Sequence, residues 1–308
     1  VVVHETHYTY EVPVGISRQV LHLTPRQTSW QSLLGHQLRI TPLPEITHTA
    51  TDPFGNPVRS FCVERDHDTL SVACESHVEV RARVYPAPEA TPPWETVRDL
   101  LSYKARRTLS PEALVANQFL FESARVRNKR ELAAWASSCF GPGEPLLVGV
   151  SRLMQRIHGE LTFDPKATTV STPVMEVWKE RRGVCQDFAH LFLSCIRSLG
   201  LSARYVSGYL LTRPPPGKKR LIGADASHAW VSVYCPHGDS PQWVDVDPTN
   251  GTFVGEEHVT LGWGRDYDDV IPLRGVLLGG GNHELRVQVT VLPESERESL
   301  REGRARAM

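Results

Sequence analysis

The chain has 308 residues, 40% apolar and 22% charged, with 34 basic and 35 acidic side chains giving a formal net charge of −1. Such a chain buries a sizeable core, and at this length two domains are the natural expectation. The balance gives no electrostatic reason to expect nucleic acid or an anionic membrane as partner, and no apolar run approaches the roughly 20 residues that span a bilayer.

Residues 1–85 read as short strands, at 7–14, 20–24, 37–40, 61–63, 69–74 and 77–84, with the breaker-rich turn Asp52-Pro53-Phe54-Gly55-Asn56-Pro57 between two of them. The expected unit is a small antiparallel β-sandwich. Residues 86–94 are proline-rich and read as an interdomain linker. Helical patterns follow at 94–104, 111–122, 129–139 and 145–158, with Ser110-Pro111 and Asn128 plus Glu131 as start signals. The basic clusters Arg106-Arg107 and 125–130 are expected on solvated faces. A further helix at 186–199 has apolar residues at Phe188, Ala189, Leu191, Phe192, Leu193, Ile196 and Leu199. Strands are expected at 203–212, 228–234, 242–246 and 283–291. The second domain is thus an α+β core over 95–293, and 294–308 form a frayed, charged tail.

Six cysteines, Cys62, Cys74, Cys139, Cys185, Cys195 and Cys235, stand at irregular spacings with no C-x-x-C pair. That is neither a disulfide framework nor a zinc signature, and reduced thiols in a cytoplasm are the expectation. Residues 1–10 lack the pattern of a secretory leader, although the chain starts without Met.

Cys185 stands where a loop becomes a helix, after Gly183-Val184. A helix start offers unpaired N–H groups and a positive dipole end, which favour a thiolate and can steady an oxyanion. Cys195 faces the apolar stripe and reads as structural. His228 opens a strand in which Ala229, Val231 and Val233 share one face while His228 and Trp230 share the other. The next strand puts Val244 and Val246 on one face and Asp245 and Asp247 on the other. Neighbouring strands with aligned apolar faces would bring a carboxylate to the imidazole, to hold its tautomer. Periodicity leaves Asp245 and Asp247 both open, with Pro248 favouring Asp247 as the rim residue.

His190 lies about 140° around the helix from Cys185 and is a poor base candidate. Asp266, Asp268 and Asp269 lack the spacing of a calcium loop, and no zinc or nucleotide-binding motif is present, so no metal or cofactor is expected. Trp178 and Trp230 could line a pocket or fill the core. Gln186 could donate to an oxyanion or simply face solvent.

The run Arg182-Gly183-Val184-Cys185-Gln186-Asp187-Phe188-Ala189-His190 resembles bacterial transglutaminase-like proteins. So do residues 203–209, His228-Ala229-Trp230-Val231, Asp247-Pro248-Thr249-Asn250-Gly251, and Gly264-Arg265-Asp266-Tyr267 with Asp269-Val270. Leu23-Thr24-Pro25-Arg26 and Phe54-Gly55-Asn56 are similar to the β domain that precedes this core in that family. The resemblance implies a papain-like fold with Cys185 as nucleophile, His228 as base and Asp247 as the residue orienting it, and so chooses between the two aspartates. It implies a peptide or protein substrate as acyl donor, with water or a primary amine as acceptor.

Overall fold

The computed structural model describes residues 1–105, 108–212, 223, 225–238 and 240–297. The expectations for Arg106-Arg107 and for the tail beyond residue 297 lie outside them.

The N-terminal unit is an antiparallel sheet organised by one long strand. β1 (Val2–Leu21) is followed by β2 (Gln31–Thr41), β3 (Ile46–Thr51), β4 (Pro57–Val63) and β5 (His67–Val80), in the order β2-β5-β1-β4-β3. The first half of β1 pairs with β5, from Val2 opposite Ser76 to Thr9 opposite Thr69. Its second half pairs with β4, from Ser17 opposite Val63 to Leu21 opposite Arg59. The strand bends between these halves, where the β5 register shifts between Thr9 and Val14. Pro13 falls in this irregular stretch, where its missing N–H breaks no ladder. Both halves close over one core, including Tyr10, Val14, Phe61, Leu70 and Val72. The expected sandwich is therefore a single bent sheet folded onto itself.

Residues 86–93 are packed rather than free: Thr91 Oγ1 accepts from Leu147 N, and Pro92 O accepts from Leu146 N. Then come α1 (Trp94–Leu101), α2 (Pro111–Asn117), α3 (Arg130–Ser137), α4 (Leu146–Glu160), β6 (Thr162–Phe163), α5 (Val174–Glu180), β7 (Arg182–Gly183) and α6 (Cys185–Ser198). Ser110 caps α2 by accepting from Ala113 N, with Pro111 in the first turn. Asn128 does not cap α3; Lys129 holds that place, and its N–H is taken by Ser198 Oγ.

The second sheet, β11-β10-β9-β8-β12, is antiparallel and consists of β8 (Ala203–Leu210), β9 (Ser227–His237), β10 (Ser240–Asp247), β11 (Thr252–Phe253) and β12 (His258–Gly264). Val246 lies opposite Val231 and Val244 opposite Val233, so the apolar faces align. That face packs on α6, whose Leu191, Phe192, Cys195 and Ile196 are fully buried. Among the described residues the result is α+β, with α6 at the centre of the larger core.

The last two strands correct the expected division of the chain. β13 (Leu273–Gly279) and β14 (His283–Val291), assigned by sequence to the second domain, pair with the free side of β1 in the first sheet. β14 takes Val2–Tyr10 and β13 takes Val14–Leu21. Alternation shows that a segment is a strand, not which sheet it joins. The turn between them is Gly279-Gly280-Gly281, all at positive φ, and a Cβ at Gly279 would lie 2.6 Å from Pro13 O.

Candidate active site

Cys185 is the first residue of α6, preceded by Val184 in extended conformation. The loop before it is tied on both sides. β7 pairs in parallel with β6, and Asp187 Oδ2 accepts from Val184 N at 2.8 Å and Thr168 Oγ1 at 2.6 Å. Burial pushes the Asp187 carboxyl up, against the two hydrogen bonds that favour its charge. Gly183 makes this closeness feasible, because a Cβ there would lie 2.6 Å from Asp187 Oδ2. Cys185 itself is half-buried, with Sγ 3.9 Å from Ser227 O. The other five thiols are buried and free, and burial drives Cys195 far above the ordinary thiol range.

His228 stands near the start of β9 and Asp247 at the end of β10. His228 Nε2 and Asp247 Oδ2 are 2.7 Å apart, with Asp247 fully buried. Asp247 can only accept as a carboxylate, so His228 Nε2 carries a proton. That leaves Nδ1 as the ring nitrogen free to serve the Cys185 side chain, which is among the groups that raise the His228 pKa. Burial pushes the His228 pKa down. The hydrogen bonds and charges of Asp247 and Cys185 override it and raise it to about 10.

Asp247 is a hub. Oδ1 accepts from Thr249 N (2.9 Å) and Asn250 N (3.2 Å); Oδ2 also accepts from Asn250 Nδ2 (2.7 Å) and His258 Nε2 (3.2 Å). Burial alone would raise its pKa, but His228, His258 and Asn250 together hold it well below the usual carboxylate range. Asp245, on the same face, has a different partner: it forms an ion pair with Arg83 and accepts from Trp230 Nε1 at 3.1 Å.

Of the other sequence candidates, His190 and the Gly264–Asp269 motif take partners outside this cluster, whereas Trp230 packs against His228 and His258. His190 Nε2 accepts from Tyr267 N at 3.2 Å, and burial lowers its pKa to about 3. In the Gly264–Asp269 motif, Arg265 pairs with Asp269, and Asp266 accepts from the N–H groups of Arg125 and Asp268. These carboxylates lock the turn after β12 to the helical side. Arg125, expected on a solvated face, is partly buried and paired with Asp268. Trp230 is fully buried; Trp178 is partly buried, edge-on to Trp135. Gln186 Nε2 donates to Val170 O at 3.3 Å.

His258 was missed by the sequence reading, because β12 is short and interrupted by Gly262 and Gly264. Its signal was the alternation His258-Val259-Thr260-Leu261, which puts His258 and Thr260 on one face. Ligand atoms of His228, Asp247 and His258 lie within 4.8 Å of one another, a spacing that would suit a metal ion. Both imidazoles are already directed at the carboxylate, and those hydrogen bonds account for the geometry.

Comparison with known proteins agrees with this architecture. Residues 1–79 match the bacterial transglutaminase-like N-terminal region, and residues 133–248 match the transglutaminase-like superfamily. An uncharacterized protein of Mycobacterium tuberculosis is 38% identical over 297 residues, 95% of this chain and 92% of that protein. Another from Mycobacterium leprae is 30% identical over 295 residues, 94% of this chain and 97% of that protein. A crystal structure from Cytophaga hutchinsonii, provisionally labelled a cysteine protease, shares the fold with a TM-score of 0.67 at 20% identity, over 95% of this chain and 90% of that one. The chain belongs to the transglutaminase-like superfamily, with its core preceded by the bacterial transglutaminase-like N-terminal region.

Proposed function

We propose that the chain is a cysteine hydrolase of amide or peptide bonds, working through Cys185, His228 and Asp247. The observation that carries this reading is the charged, hydrogen-bonded His228–Asp247 pair beside a half-buried thiol at a helix start. Superfamily membership supports cysteine-based chemistry on this core.

In the proposed reaction the Cys185 thiolate attacks the substrate carbonyl, forming a C–S bond while the carbonyl π pair moves onto oxygen. The Cys185 N–H with a neighbouring donor at the start of α6 steadies the developing charge. His228 gives its Nδ1 proton to the departing amine as the C–N bond breaks, leaving a thioester. Water, losing a proton to His228, then attacks the thioester and releases the acid and the thiolate. Asp247 holds the ring and stabilises the imidazolium throughout. The partial exposure of Cys185 favours water as acceptor.

The test is mass spectrometry of a mixed glutamine and asparagine peptide panel incubated with the protein, with and without a primary amine, against Cys185→Ala. Cleaved or deamidated peptides absent from the control support the hydrolase. Amine adducts absent from the control would replace that reading with a transglutaminase. Identical spectra for protein and control would count against catalysis on these peptides and favour a binding module.

A further inference from the structure

We propose that His258 is a positioning residue for Asp247, sharing its charge with His228, and that the N-terminal sheet holds His258 in place through β12. This rests on the cysteine-enzyme reading above.

Asp247 Oδ2 accepts from His228, His258 and Asn250 at 2.7, 3.2 and 2.7 Å. A carboxylate oxygen offers about two lone pairs, so three donors divide its charge. His258 turns its Nε2 proton to Asp247, while its Nδ1 is buried without a hydrogen-bond partner. An apolar side chain in that place would avoid the cost of the stranded nitrogen, so the Nε2 contact is what the histidine provides. Its ring is fixed edge-on against Trp230 at 5.3 Å.

The strand carrying His258 is clasped from outside. β12 ends the second sheet, and beyond it two side-chain amides from the N-terminal unit stand in for a neighbouring strand. Gln31 accepts from Thr260 N at 2.7 Å and donates to Thr260 O at 2.8 Å. Asn56 accepts from Trp263 N at 2.9 Å and donates to Trp263 O at 2.8 Å. Both are buried. The N-terminal sheet thereby fixes the strand two residues from His258.

With His258 drawing on Asp247, the carboxylate holds the His228 proton less tightly than it otherwise would. The other titratable groups nearby are Cys185 from α6, Asp245 on β10 with Arg83 as its partner, and His158 from α4 against Thr249 O.

The test needs no substrate: the rate of Cys185 alkylation by iodoacetamide is followed against pH on the full chain and localised by mass spectrometry. In the unaltered protein, Cys185 reacts faster at low pH than in His228→Ala, with an upper inflection where His228 loses its proton. In His258→Leu that inflection rises by on the order of one pH unit. In His258→Gln, whose amide restores an N–H donor, it returns toward the original. An inflection that stays or falls in folded His258→Leu, or does not recover in His258→Gln, overturns the proposal. A Cys185 no faster than in His228→Ala overturns the cysteine-enzyme reading instead. Should His258→Leu not fold, Gln31→Ala loosens β12 from outside, and the same rise is expected; an unchanged profile overturns the proposal.

Discussion

The two faces of the second sheet are equally buried but are built from different chemistry. Toward α6, Ala203, Ala229, Val231, Val233, Val244 and Val246 form an apolar layer. The opposite face carries Arg204, Trp230, Ser232, Asp245 and Asp247, and is covered by the N-terminal unit and its connecting segment. There Arg83 pairs with Asp245, Arg204 stacks between Trp243 and Trp263 at 4.1 and 3.7 Å, and Arg26 lies 3.5 Å over Trp263. Apolar contact is non-directional and supplies most of the driving force. Charged contacts are directional and carry a desolvation cost, so they fix geometry more than they add stability. Asp247 belongs to the directional face, and its partner His258 stands on β12, the strand that Gln31 and Asn56 of the N-terminal unit hold.

Substitutions on the two faces should therefore fail in different ways. The largest effect is expected for Asp247→Asn, which keeps the shape but loses the charge: the turnover proposed above should fall by on the order of 10³–10⁴. Its pH signature has a defined sign. His228 at about 10 is raised relative to an ordinary imidazole near 6.5, so it contributes stability that is fully present below pH 6.5 and lost as pH rises through 10. Without the Asp247 charge, burial acts with less opposition, and the His228 pKa drops toward or below its ordinary value. A urea-unfolding series across pH 6 to 10 would show that decline in the original protein and a flatter course in the variant. An equal slope in both would contradict the assignment.

Next comes Arg83→Met. It strands Asp245, whose Oδ1 already lacks a partner, in a site where both side chains of the pair are only 4% exposed. A loss of about 3–5 kcal/mol is expected in denaturant unfolding. Adding Asp245→Leu should recover much of it; no recovery would mean that Arg83 acts mainly through its packing on Trp30. On the apolar face, Leu191→Ala should cost about 2–5 kcal/mol. It should leave the pH profile of Cys185 alkylation in place, since the lesion is a cavity and not a lost charge.

What could be read from the sequence follows the same division. The apolar face was legible because alternation marks it: Val231 and Val233, like Val244 and Val246, share a face, and those faces align once β9 and β10 pair. The same rule put Asp245 and Asp247 on one face and could not separate them; the difference lies in Arg83, 162 residues away from Asp245 in sequence. His258 was hidden by the glycines of β12. The return of β13 and β14 to β1 was hidden because a strand's partner is set by which edge is open. Helix α5 was missed for its brevity, seven residues ended by Arg181 in the left-handed conformation. Local pattern reveals elements, whereas contacts made across the chain decide which polar groups meet.

The smallest effect is also the sharpest probe of the polar face. Gln31→Ala removes the amide that pairs with Thr260 N and O; Thr260 O keeps the Arg26 N–H at 3.1 Å, while Thr260 N loses its Gln31 acceptor. The expected cost is about 1–3 kcal/mol. A similar loss could come from any core position, so its location carries the information. Hydrogen exchange should quicken at the amides of β12 while those of Val231 and Val233 in β9, held between two strands, keep their protection. Uniform acceleration through both strands would mean that the sheet loosens as one body and that the clasp gives β12 no separate support. Acceleration confined to β12 would tie a side chain of the N-terminal sheet to the strand that presents His258 to Asp247.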